Sequence, residues 1–166
     1  MKTIASVISH FCLSTILILG GCGGGGSTAT PAPTKATVKL STQGTLQPGT
    51  ALKGMSVAIR LPAGVTVDTD ANGAVLAGVV TVSGTAALGA SSMLPPSYTP
   101  ASGTVPATLE FTFGASDFGV GEFATVNFNL GPGSTPPSAT DVAITPADQN
   151  LRPVTTLLVA LAVELK

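Results

Sequence analysis

Apolar and polar residues alternate along most of the chain from Ala36 onward, and this alternation constrains the fold more than any other feature. Successive side chains of a β-strand point to opposite faces, so a period of two predicts strands with one face on a core and one in water. The clearest alternating segments are ATVKL at 36–40, MSVAIRL at 55–61, ATLEFTF at 107–113 and FATVNFNL at 123–130. The predicted inward positions are Val38, Leu40, Met55, Val57, Ile59, Leu61, Leu109, Phe111, Phe113, Ala124, Val126, Phe128 and Leu130.

The C-terminal run differs from these segments because it is apolar on both faces. Leu157, Val159, Leu161, Val163 and Leu165 share one face, and the opposite face carries one more leucine and two alanines. Such a pattern predicts a central strand that is covered on both sides. The 12 residues of 154–165 are too few to span a bilayer as a helix, which needs about 20.

Three further short segments, GVTV, VLAGVVTV and TDVAIT, bring the expected total to about eight strands. No stretch shows a helical stripe, and the 20 glycines and 13 prolines fall mostly near the N-terminus and between strands. We therefore predict an all-β fold, a single antiparallel β-sandwich over residues 36–166. Two stretches exceed ordinary turns, 83–106 with the only tyrosine, Tyr98, and 131–139. We expect them to cap one open end of the sandwich, although a loop as long as the first is often functional.

The first 21 residues have the layout of an export signal, with Lys2, an apolar stretch and then small residues. The sequence LGGC at 19–22 resembles the bacterial lipoprotein signal, and the resemblance implies cleavage before Cys22 and lipidation of that cysteine. Residues 22–35 are rich in glycine, then proline, serine and threonine, and are predicted to form a flexible tether. The residue after Cys22 is not aspartate, which by the same resemblance implies an outer membrane in a Gram-negative bacterium.

Removal of the signal would also remove the only histidine, His10, and Cys12. Loss of Lys2 takes the basic count from 7 to 6 against 8 acidic residues. Scattered basic residues make nucleic acid an unsuitable partner. A chain with no histidine and a lipidated cysteine cannot assemble a His-based or thiolate catalytic pair, so we expect no enzyme activity and no cofactor.

The segment DTDANG at 68–73 matches the opening of a calcium-binding loop, with oxygens at positions 1, 3 and 5 and glycine at 6. Position 12 should be a bidentate acid, but it is Val79, and position 9 is Leu76. Asparagine followed by glycine between alternating segments is a strong hairpin signal. We therefore predict a turn, and no metal site.

A set of longer segments gives a family resemblance. LPAGVTV, AVLAGVV, SYTPASGTVPATLEFTF and FGVGEFATVNFNL, then a late strand after DQNLRPV, resemble a divergent cohesin-type domain over most of residues 36–166. The superfamily includes the cellulose-binding modules of families 2 and 3. The resemblance implies a jelly-roll sandwich of about nine strands, with binding of dockerin modules or, in related modules, of polysaccharide. No cohesin residue role transfers individually to this chain.

The leading hypothesis for function is a non-catalytic, membrane-anchored surface module that binds another protein, as a scaffold or an adhesin. The alternative is a carbohydrate-binding module for polysaccharide, although a chain without tryptophan offers few rings for stacking on sugars. Phe118 and Phe123 could supply such rings or belong to the core. A glycosidase would need paired carboxylates, for which Asp117 and Glu122 are candidates, but we expect both to be solvated charges in a turn region.

Overall fold

The computed structural model describes residues 32–166, which form one compact unit. The predicted signal at 1–21, the predicted lipidation site Cys22 and most of the predicted tether lie outside the described residues. The ten strands are β1 (Lys35–Gln43), β2 (Leu52–Leu61), β3 (Val65–Thr66), β4 (Val80–Val82), β5 (Ser91–Met93), β6 (Ser97–Thr99), β7 (Ala107–Phe118), β8 (Glu122–Leu130), β9 (Val142–Asp148) and β10 (Leu158–Leu165). Two 3-10 helices lie at Gly84–Ala87 and Ala139–Asp141. Neither described helix has the length needed to cross a membrane.

The strands form two five-stranded sheets that pack as a sandwich. In the first sheet β10, β1 and β8 are neighbours in that order, and both β3 and β4 pair with the far side of β8. In the second sheet β7, β2 and β9 are neighbours, and both β5 and β6 pair with the far side of β7. Every pair of strands is antiparallel. The predicted all-β antiparallel sandwich is therefore confirmed.

The core lies between the sheets and contains the inward residues that the alternation predicted. In β2 the burial follows the pattern, with Met55, Val57, Ile59 and Leu61 buried and Ser56 exposed. Burial of a large apolar side chain stabilises a fold by about 1.5–3 kcal/mol, which explains why the alternation specifies each register. The largest fully buried side chains are Phe113, Phe123, Phe128, Leu40, Leu52, Met55, Ile59, Leu61, Leu109, Val38, Val126 and Thr42.

The alternation fails at Phe123, which strict period two places on the outer face opposite Ala124. Phe123 and Ala124 are both fully buried. The register between β1 and β8 shifts after Leu40, and this irregularity lets both residues turn inward. Phe118 is also buried, and both rings pack on Phe113, with centroid distances of 5.8 Å for Phe118 and 6.1 Å for Phe123.

The C-terminal run is an edge strand, so its predicted central position is wrong. Among the described strands, β10 pairs with β1 alone. Its inward face is covered only in part, since Val163 is 45% and Leu165 is 52% exposed, and on the outer face Leu158 is 72% exposed. A strand that is apolar on both faces need not have cover on both.

The long segment 83–106 mainly lines a sheet edge, whereas we expected it to cap an end of the sandwich. It supplies β5 and β6, which raise the strand number from the expected eight or nine to ten. From its 3-10 helix only Ala86 is buried. Gly84, with φ of +55°, lies so close to the backbone of Glu122 that a Cβ atom would clash with the Glu122 carbonyl. The segment 131–139 packs against another turn, with the Gly131 N–H donating to the Gly64 carbonyl at 2.8 Å.

Both ends of the described chain meet at one end of the sandwich. The N–H groups of Thr34 and Lys35 donate to the carbonyl of Lys166 at 2.9 and 3.0 Å, and the Lys166 N–H donates to Lys35 at 2.9 Å. β1 therefore begins one residue before the predicted boundary at Ala36.

Candidate functional site

The DTDANG segment forms a tight turn, as predicted. One carboxylate oxygen of Asp70 accepts hydrogen bonds from the backbone N–H groups of Asn72 at 2.8 Å and Ala74 at 2.9 Å. Gly73 has φ of +83° and donates its N–H to the Asp70 carbonyl at 3.0 Å. An antiparallel bridge between Thr69 and Val75 flanks the turn. The acid and the glycine therefore have local roles in shaping the backbone.

Asp68, the other acid of this segment, is engaged on the first sheet. Its Oδ1 accepts a hydrogen bond from Asn129 Nδ2 at 2.6 Å, and its Oδ2 lies 4.0 Å from Lys35 Nζ. Among residues 32–166, no three acidic, histidine or cysteine side chains are grouped as metal ligands would be.

A second turn, at 148–152, repeats the geometry of the first. Asp148 Oδ1 accepts hydrogen bonds from the N–H groups of Asn150 at 2.8 Å and Arg152 at 2.9 Å. Leu151 donates its N–H to the Asp148 carbonyl at 3.0 Å, as Gly73 does to Asp70. Leu151 thus occupies the position that glycine holds in the first turn.

Leu151 is strained and exposed. Its φ of +59° is the only positive φ of a non-glycine residue in the part of the chain that the structure describes. A side chain in this left-handed region costs about 1–2 kcal/mol, because Cβ approaches the following carbonyl oxygen. Its side chain is 79% exposed, so burial does not offset the strain. An unfavourable backbone that presents an apolar side chain to solvent is a feature that often marks a functional site.

Leu151 borders a groove on the outer face of the second sheet, whose floor is made of glycine. The register places Gly54 opposite Gly114, with Ala147 beyond Gly54 on β9 and Ser92 beyond Gly114 on β5. This row therefore crosses four strands with no side chain larger than serine. We call the resulting depression, of about 350 Å³, the glycine groove.

One side of the glycine groove is lined by hydroxyl side chains, and two leucines lie at its edges. The next row across the sheet carries Ser56, Thr112 and Thr145, and the Ser56 and Thr112 hydroxyl oxygens lie 3.0 Å apart. Leu94, just after β5, donates its N–H to the Thr112 carbonyl at 3.0 Å and is 65% exposed. Leu151, after β9, also lines the groove. The arrangement suits an apolar group that fits between two leucines over exposed backbone.

The glycine groove carries one ion pair near its end and no paired carboxylates. Lys53 Nζ lies 3.0 Å from Asp117 Oδ1. Glu122 lies on the other sheet and faces Lys39 at 3.9 Å. Asp117 is the last residue but one of β7 and Glu122 is the first of β8, so the two acids flank the turn at 119–121, and each lies near its own lysine.

A second depression, of about 370 Å³, lies on the outer face of the first sheet, but its polar groups bond one another. Asn127 Oδ1 accepts a hydrogen bond from Thr37 at 2.9 Å, and its Nδ2 donates to the Gly78 carbonyl at 2.9 Å. Lys166 Nζ donates to Thr37 at 3.2 Å. These contacts attach the segment 68–79 to the sheet and use the groups that a ligand would need.

Aromatic side chains contribute little to the described surface. The five phenylalanines of residues 32–166 are all buried, and Tyr98 is half-buried. Over this part of the chain, no exposed ring offers a face to a sugar.

Among residues 32–166, one titratable group has a pKa that departs from its ordinary value, and this group lies outside the glycine groove. The side-chain hydroxyl and then the backbone N–H of Ser138 hold the pKa of Asp141 below its usual range, by hydrogen bonds of 2.6 and 2.8 Å to Oδ2. Burial opposes this shift, and the charge of Arg60 adds to it. This carboxylate stabilises the 3-10 helix before β9.

Sequence reasoning missed the glycine groove. Its glycines lie 60 positions apart on two strands, so only the register unites them. A usable signal for Leu151 was present, because Asp-Gln-Asn-Leu repeats the Asp-Ala-Asn-Gly spacing of the turn that was predicted.

No protein-family model matches this sequence, and neither a curated protein nor a solved structure shows significant similarity to it. The resemblance to cohesin-type domains therefore stays a prediction.

Proposed function

We propose that the chain is a membrane-anchored surface lipoprotein whose β-sandwich is a non-catalytic protein-binding module, and that the partner binds in the glycine groove. The observation that carries this proposal is the strained, exposed Leu151 beside the glycine floor. Glycine would fit the turn at 148–152 without strain, as Gly73 does in the turn at 68–73, which has the same geometry. A leucine at this strained position is explained if its side chain contacts a partner.

The groove also indicates the chemistry of the partner. Its floor exposes the backbone of Gly54 and Gly114, and a small residue on either side keeps the depression open. Leu94 and Leu151 would desolvate when an apolar side chain enters between them, which supplies the main favourable free energy of such an interface. The hydroxyls of Ser56, Thr112 and Thr145 can hydrogen-bond the polar groups of the same partner segment.

The predicted anchor and the resemblance agree with this role. A lipidated Cys22 and a flexible tether would hold the sandwich at a cell surface, where scaffolds and adhesins act. The cohesin resemblance suggests a dockerin-like partner. The alternative, polysaccharide binding, has less support, because the described surface lacks exposed aromatic rings and the polar depression on the first sheet is internally bonded.

The experiment fills the groove without disturbing the fold. A Cβ atom at Gly114 would lie 3.6 Å from the Lys53 carbonyl and 3.9 Å from Ser92 Oγ, both ordinary contacts. Gly114→Val therefore places a β-branched side chain, which strands favour, over the groove floor. Thr81→Val, on an exposed position of β4, is the matched control on the other sheet.

The full chain with each substitution is used to capture partners from the cell envelope of its host after chemical cross-linking, with immobilised polysaccharides tested in parallel. We expect a specific protein that the parent and Thr81→Val capture and that Gly114→Val loses by tenfold or more, which is about 1.4 kcal/mol. If Gly114→Val captures the partner as well as the parent does, the groove is not the binding site. Retention on polysaccharide with no groove-dependent protein would favour the alternative.

A further inference from the structure

We propose that β10 is a self-association edge, at which a second copy of this chain pairs its own β10 antiparallel across a two-fold axis at Leu161. This inference does not depend on the proposed function, because the β10 edge and the glycine groove lie on different sheets.

Within residues 32–166, β10 leaves a row of backbone groups open. Lys35 and Lys166 exchange both N–H···O=C bonds, and bonded pairs alternate along an antiparallel ladder. Every second residue of β10 therefore bonds β1, starting from Lys166, and the residues between them direct N–H and C=O away from the sheet. The residues with outward backbone groups are Val159, Leu161, Val163 and Leu165.

The other sheet edges of the described sandwich are short or blocked, which is how proteins usually protect edges. β3, β4, β5 and β6 have only two or three residues each. β9 contains Pro146, which has no N–H, and the Pro146 carbonyl already accepts the Val154 N–H at 2.8 Å. β10 has eight residues and a single charged one, Glu164.

The sequence of β10 indicates that the occupant is a second copy. Residues 159–163 read Val-Ala-Leu-Ala-Val, which is the same in both directions. Antiparallel pairing centred on Leu161 puts Val159 opposite Val163 of the second copy and Leu161 opposite itself. All these residues have outward backbone groups, so each pair can exchange both hydrogen bonds. Ala160 and Ala162 face each other between them.

The side chains also benefit from this register. Val163 and Leu165 share the inner face with Val38 and Ala36 of β1, but the second sheet leaves them about half exposed. Opposite residues of paired strands lie on the same face, so the valine of the second copy covers Val163. Glu164 faces Leu158 of the second copy, so no like charges meet directly. Pairing would join the first sheet of one copy to the first sheet of the other, as one continuous sheet.

The test uses a proline that spares the β1 ladder. The Val163 N–H points away from β1, so Val163→Pro removes a donor needed for self-pairing and keeps the intramolecular bonds. Val163→Thr is the matched control, since it keeps the N–H and the branched shape. For the full chain in detergent, sedimentation equilibrium is expected to show dimers for the parent and Val163→Thr. Val163→Pro should weaken dimerisation by about tenfold or more, since one bond is lost on each side of the axis.

Cysteine pairs test the register in the same full chain, with the parent oxidised in parallel as the background for Cys12 and Cys22. Leu161→Cys should cross-link with itself, because bonded pairs lie about 5.5 Å apart between Cα atoms, within reach of a disulfide. Val159→Cys and Val163→Cys should cross-link mainly when mixed. A parent that stays monomeric at about 100 μM, a dimer indifferent to Val163→Pro, or cross-links in another register would overturn the proposal.

Discussion

Replacement of Leu151 by glycine is expected to stabilise the protein, although it deletes a large apolar side chain. Relief of the left-handed strain contributes about 1–2 kcal/mol. The side chain is 79% exposed, so its loss removes only about a fifth of the burial of a leucine, about 0.3–0.6 kcal/mol. The greater freedom of glycine in the unfolded chain removes about 0.5 kcal/mol more. The net gain is about 0.5 kcal/mol, or a rise in Tm of about 2 °C for a domain of this size.

The twin turn supplies the reciprocal variant. Gly73 has φ of +83°, and nothing lies within 4 Å of the Cβ atom that a substitution would add. Gly73→Leu therefore introduces the same strain without a clash and is expected to destabilise by about 1 kcal/mol, or about 4 °C in Tm. The two substitutions exchange leucine and glycine between two turns of the same geometry. We therefore expect Leu151→Gly to raise Tm and Gly73→Leu to lower it.

Thermal unfolding of the full chain followed by circular dichroism, with urea unfolding as a second measurement, gives the direction of the stability change for both variants. A fall in Tm for Leu151→Gly would refute the reasoning, because it would mean that the side chain stabilises the fold more than its backbone strains it. The same variant has a functional use. A Leu151→Gly protein that is more stable but captures less partner would separate the role of Leu151 in binding from any role in folding.

Two further predictions concern carboxylates. Because hydrogen bonds lower the pKa of Asp141 in the folded state, its stabilising contribution is present above the unfolded value of about 3.9 and is lost as the pH falls through the folded value. Ser138→Ala should therefore cost about 1 kcal/mol in urea unfolding at neutral pH and clearly less at about pH 2.5, and an equal loss at both pH values would contradict the assignment. Calcium at millimolar concentration should leave Tm unchanged, since Asp70 bonds its own turn; a rise that Asp70→Ala abolishes would show a metal site instead.

The alternation predicted the fold class and most of the core, because each residue of a strand is committed to one of two faces. In β2 every predicted inward residue is buried. The same reasoning failed for β10, since an apolar pattern reports the character of both faces and contains no information about which strand becomes a neighbour. Phe123 was misplaced for a related reason, because it is the extra residue of β8 where the register with β1 shifts, and a local sequence pattern does not show such an irregularity.

The candidate site was less predictable than the fold. The turn at Asp70 was identified because glycine, as at Gly73, is the residue that most often adopts a positive φ. Leu151 has the same backbone conformation, but a leucine rarely adopts it, so the sequence did not indicate it. The floor of the glycine groove depends on the pairing of Gly54 with Gly114, a long-range property that needs the register of β2 and β7. Local patterns therefore predicted the turns and strands, but they could not predict a surface built across four strands.

The hydrogen bond between Thr34 and Lys166 holds the two ends of the described chain together, and this matters for the attachment of a reporter or a resin. β1 runs from that meeting point toward the opposite end of the sandwich, where the turn containing Leu151 also lies. Nine residues of extended chain span about 30 Å. A fusion at either terminus of the sandwich would therefore stand nearly a full strand length from Leu151 and leave its approach unobstructed.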